Sequence, residues 1–74
     1  MSEPRTIAEL VKNNTETVRV ALVDLNGHHL CDVRILADVG GGNRLPTRNG
    51  ICVGVGLIPG LIEALQEAER EASR

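Results

Sequence analysis

A chain of 74 residues makes one domain at most, and one this small is marginal by itself. The net charge of −2 gives no reason to expect non-specific polyanion binding, and no apolar run approaches the roughly 20 residues that cross a bilayer. The chain contains no Phe, Trp or Tyr, so Val, Leu, Ile, Ala and Cys must build the core without aromatic cross-strand pairs.

The start, Met1-Ser2-Glu3-Pro4-Arg5, lacks the basic and apolar regions of a secretory signal. The two cysteines, Cys31 and Cys52, form no CxxC and no Cys/His ligand spacing. Together these features lead to the expectation of a cytoplasmic protein with two free thiols used as small packing residues. Oligomerisation is then the expected staple for so small a core.

Residues 1–14 are polar around Ile7, Leu10 and Val11, a spacing that fits one or two helical turns or an irregular N-terminal arm. The domain proper is expected over residues 15–74. Thr17 to Leu25 alternates, with Val18, Val20 and Leu22 on one face and Arg19, Ala21 and Val23 on the other, which predicts a strand. Asn26-Gly27 supplies the two positive-φ positions of a type I′ hairpin turn. His28 to Leu36 is the returning strand. Cys31, Val33 and Ile35 join the core face, while Leu30, Asp32, Arg34 and Leu36 form a mixed face that is solvated or a contact surface.

Gly40-Gly41-Gly42 reads as a loose hairpin connection. It lacks the spacing, the Lys-Ser/Thr and the strand-loop-helix setting of a phosphate loop. Arg44 to Arg48 is expected as a short third strand marked by Pro46, Asn49-Gly50 as a second tight turn, and Ile51 to Val55 as a fourth strand. A helix begins near Leu57, fixed by Pro59 in its first turn. Leu57, Leu61, Leu65, Ala68 and Ala72 form its apolar stripe, widened by Ile58 and Ile62. Strands followed by a single helix give an α+β domain with one sheet face covered.

Little here resembles catalysis. Ser2 and Ser73 lie at the ends, and Cys31 with His28 or His29 fails because strand neighbours point to opposite faces or into the core. His28-His29 lacks a third metal ligand apart from Asp32. No enzyme activity, cofactor or metal is expected. The charge, however, is divided: the helix carries Glu63, Glu67, Glu69 and Glu71 against Arg70 and Arg74, and the sheet region carries Arg19, Arg34, Arg44 and Arg48 against Asp24, Asp32 and Asp38. Arg34 on the outward face, Arg44 and Arg48 beside it, and Arg19 and His28 at the rim are the candidates to follow a phosphate backbone.

In order along the chain, Val18-Arg19-Val20, Asp32-Val33-Arg34, Pro46-Thr47-Arg48, Gly50-Ile51 and Leu61-Ile62-Glu63-Ala64-Leu65 resemble the bacterial branch of the transcriptional coactivator family named for positive cofactor four. The resemblance covers roughly Asn13 to Glu69. It implies a curved four-stranded antiparallel sheet with a C-terminal helix, a homodimer, and a single-stranded-DNA-binding domain in which Arg34, Arg44, Arg48 and Arg19 face the nucleic acid. It further implies a role in transcription regulation, contact with the transcription machinery, and a nucleoid-associated location.

Two departures stand out. Relatives place aromatics around the positions of Leu25, Leu30, Leu36 and Leu45, and the usual basic pair before Gly-Ile is here Arg48-Asn49. Base-aromatic stacking is worth roughly 1–3 kcal/mol per base. The alternative reading is therefore a dimeric protein-interaction module of the same fold with an eroded DNA site. RNA in place of DNA is a second candidate ligand.

Overall fold

The computed structural model describes residues 4–74; the first three residues of the expected arm lie outside them. Four antiparallel strands in sequential order form one open sheet: β1 (Arg5–Val11), β2 (Glu16–Leu25), β3 (His28–Gly40) and β4 (Asn43–Gly54). A 3-10 turn, Val55–Leu57, leads into helix α1 (Ile58–Ala72), with Pro59 in its first turn. The α+β class, the four-stranded sheet and the closing helix all match the sequence reading.

The β2–β3 hairpin is set by Asn26 and Gly27, with φ of 52° and 80°, which is the type I′ turn the dipeptide predicts. Its register pairs Leu25 with His28 and, further along, Arg19 with Arg34 and Ala21 with Asp32. One sheet face therefore presents Thr17, Arg19, Ala21 and Val23 beside Leu30, Asp32, Arg34 and Leu36. The other presents Val18, Val20 and Leu22 beside Cys31, Val33 and Ile35. Sheet residues from this second face, joined by Leu10 and Ile51, line an open apolar trough of about 450 Å3 with Ile58, Leu61, Ile62 and Leu65 of α1.

Three local expectations change. Residues Arg5–Val11 form a strand rather than helical turns or an irregular arm, because they pair with β2 across a register shift between Thr6 and Ala8. The bulge at Ile7 breaks the two-residue alternation, and the resulting Ile7 and Leu10 spacing imitates a helix. The glycine run is a tight connection: Gly40 pairs with Asn43, leaving Gly41-Gly42, both at positive φ, as a two-residue turn. Last, Asn49-Gly50 is no turn, and the two short strands expected around it are one long strand, β4.

Between the pairs Leu36–Pro46 and Arg34–Gly50, β4 carries two more residues than β3. Side chains fill in for the interrupted ladder: the Thr47 hydroxyl donates to the Ile35 carbonyl at 2.8 Å and accepts from the Asn49 amide at 3.1 Å. Pro46, which has no N–H to give, is placed beside this irregularity on an edge strand.

The core is sparse. The buried apolar residues are Ala21, Cys31 and Leu36, and no residue of α1 is buried. The helix stripe lies across the trough from the sheet but is not sealed against it. Ile62, Leu65, Leu10 and Ile51 are each about half exposed or more. Among the described residues, no helix is long and apolar enough to cross a membrane.

Candidate nucleic-acid interface

Period-two alternation and the hairpin register bring arginines from β2, β3 and β4 to the sheet face opposite the helix. Arg19 and Arg34 are direct cross-strand partners. Arg44 is opposite Asp38 on the same face, nearer the glycine turn. Arg48 stands in the β4 bulge beside them. His28 is at the other end of β3, about 20 Å along the strand from Arg34 at roughly 3.3 Å per residue. The structure thus groups four of the five sequence candidates and leaves His28 apart, exposed at the hairpin.

The four arginines are held differently. Arg34 donates to Asp32 through Nη2 at 2.6 Å and Nε at 3.4 Å, and through Nη1 to the Arg48 carbonyl at 3.2 Å. The bond to Asp32 raises the Arg34 pKa above its ordinary value, with partial burial opposing it. Arg19 approaches the same carboxylate, 3.7 Å from Nη2 to Asp32 Oδ2. Arg44 reaches across β3 to the Thr17 hydroxyl and donates to the Asn14 carbonyl at 2.7 Å. The Arg48 guanidinium has no hydrogen-bond or ion-pair partner among the described residues, and the residue is exposed.

Asp32 is the site residue that sequence reasoning weighed only as a possible metal ligand. It is 7% exposed and stands between two guanidiniums. Its place was legible: a two-residue turn at Asn26-Gly27 puts Arg19 opposite Arg34, and alternation puts Asp32 on the same face. Cys52 is paired with Asp32 and is exposed, unlike the buried Cys31, so only one of the two thiols is a packing residue. At the far hairpin, His29 Nδ1 meets Asp24 Oδ1 at 2.5 Å in solvent, as expected of a hairpin-end histidine.

Gly50 brings β4 close to β3 at this site. Its φ is 148°, and a Cβ there would be 2.2 Å from the Val33 carbonyl oxygen and 2.9 Å from the Arg34 Cα. The close approach leaves no side chain between Arg34 and the strand edge. Chemically, the face offers several guanidiniums around one buried carboxylate, an arrangement suited to anions.

No family model matches the chain, and no curated protein does. Solved structures do. A PC4 homolog from Burkholderia pseudomallei in a tetragonal crystal form superposes with a TM-score of 0.84 at 30% identity, covering 90% of this chain and 98% of that one. The orthorhombic form gives 0.88 at 31% identity, with 96% of each chain covered. Identity at this level across nearly the full length of both chains, on the same four-strand and one-helix frame, shows that this chain belongs to the PC4-like family.

Proposed function

We propose that the chain is a single-stranded-nucleic-acid-binding domain that works as a homodimer in the cytoplasm and acts on transcription as a coactivator or regulator. The observation that carries this reading is the convergence of Arg19, Arg34 and Arg44, from three strands, on one face of a PC4-like sheet, with Arg48 in the adjoining bulge. Arg48, without a side-chain partner among the described residues, is the first phosphate contact, Arg34 and Arg19 supply the centre, and Arg44 chiefly braces the edge. His28 is too far along β3 to join the same contact and belongs at most to the rim. With no aromatic to stack a base, affinity rests on phosphate contacts and is salt-dependent.

Fluorescence anisotropy with labelled oligo-dT at low salt tests this. Binding is expected, with a shallow salt slope from few phosphate contacts; Arg48→Ala weakens it and reduces the slope by about one. Absence of binding at about 100 µM protein, the weak end of non-specific affinity, refutes the reading.

A second reading has its own support. Asp32 engages two of the four arginines and Thr17 with Asn14 engages a third, so three of the four guanidiniums already have partners within the chain. A dimeric protein-interaction module with an eroded nucleic-acid site would show an intact dimer, no oligonucleotide binding, and a cellular phenotype unchanged by Arg34, Arg44 and Arg48 to Ala together.

A further inference from the structure

The sheet register creates a conflict that one side chain resolves. Arg19 and Arg34 are directly opposite each other, and like charges so placed oppose strand pairing. Their side chains are only 16% and 21% exposed, so water screens them incompletely. Asp32, two residues from Arg34 on the same strand face, is 10% exposed at its side chain and touches both. Arg34 grips it with a two-point fork, and Arg19 approaches its second oxygen. One carboxylate between two guanidiniums leaves a surplus of one positive charge. It also leaves donor capacity unused, since the buried Arg19 Nε has no partner.

We propose that Asp32 is the positioning residue of this face: its carboxylate holds Arg34 and Arg19 side by side, so that their surplus of one charge receives a single phosphodiester. The inference rests on the nucleic-acid reading above and adds a residue whose own charge is wrong for the ligand. Charge counting alone predicts the opposite result, because removing Asp32 makes the face more positive. Positioning predicts a loss, because guanidiniums freed from their shared partner repel and give up the fixed mutual orientation that two-point anion binding needs.

The test is Asp32→Asn, which keeps the shape and removes the charge, compared with wild type by oligo-dT anisotropy at low salt, with circular dichroism confirming the sheet. Binding tenfold weaker or more, in spite of the added positive charge, is the expected result; equal or tighter binding overturns the proposal. Arg34→Ala and the double variant complete a cycle in which the Asp32 effect shrinks once the guanidinium is gone. Fully additive losses overturn it. Where Asp32→Asn does not fold, Arg34→Lys decides, because it keeps the charge and loses the fork: a loss near that of Arg34→Ala supports positioning, and wild-type affinity contradicts it.

Should the wild-type chain leave oligo-dT unbound, the nucleic-acid reading fails separately. Inorganic phosphate is then titrated against the arginine side-chain nitrogen resonances. Shifts at Arg19 and Arg34 Nε that vanish in Asp32→Asn retain the anion subsite, and no shift removes it.

Discussion

Glu16 shows how much a single half-buried side chain can organise. Its carboxylate accepts from Lys12 Nζ at 2.8 Å and Asn13 Nδ2 at 2.9 Å, while its backbone carbonyl accepts the amides of both residues. The side-chain bond to Lys12, then that to Asn13, lowers its pKa below the ordinary 4.5. A carboxyl lowered on folding contributes stability that is present above its ordinary value and lost as the pH falls through the lowered one. Acid is therefore expected to loosen the corner between β1 and β2. The Lys12 and Asn13 amide shifts should move together across an acid titration and lose that response in Glu16→Gln. The Asn14 carbonyl that anchors Arg44 belongs to the same corner, so the loosening should reach the arginine face. None of this was legible in the sequence, where residues 1–14 read only as helical turns or an irregular arm. Arg19 opposite Arg34 was legible, because a two-residue turn fixes every pair in its hairpin.

Strand β4 is where sequence reading and structure separate most, and the reason is physical. Asn-Gly normally signals a turn because both residues tolerate positive φ. Here Gly50 uses that freedom to bring two backbones together, and the chain continues in the same direction. Gly50→Ala would drive a Cβ into the Val33 carbonyl and the Arg34 backbone, neither of which is a flexible side-chain end. The expected cost is about 3 kcal/mol, seen as a lower midpoint in urea denaturation. Unchanged stability would mean that the strands are not in this register. Strand β1 was hidden by a related effect, a bulge that gives a strand a helix-like spacing. The helix was plain because Pro59 and a long apolar stripe agree on it. Both bulges evade pattern reading because they disrupt the periodicity on which it depends.

At the scale of the molecule, the accessible surface is 5671 Å2, against about 4,400 Å2 expected of a compact monomer of 7.9 kDa. The excess of roughly 1,300 Å2 is of the order a protein covers in a stable complex. Exposed Leu10, Ile51, Ile62 and Leu65 border the trough between sheet and helix, where a second copy is the proposed occupant. Sedimentation at micromolar concentration should show a dimer. Leu65 is 61% exposed in the single chain, so Leu65→Asp should spare the fold and weaken the dimer by tenfold or more. A wild-type monomer at that concentration would contradict the assembly. The thinness of the molecule, 18 Å in its shortest dimension, has a consequence for how such a chain can evolve. Each central strand serves two surfaces at alternate positions, Val18 and Val20 for the apolar side, Arg19 and Ala21 for the charged one. Losing or gaining one residue within β2 would exchange the two surfaces, so composition there can drift while length stays fixed. Length is freer to vary where pairing is already interrupted: at the Ile7 bulge, at the 12–15 corner, at Gly41-Gly42, and in the β4 bulge that carries Arg48.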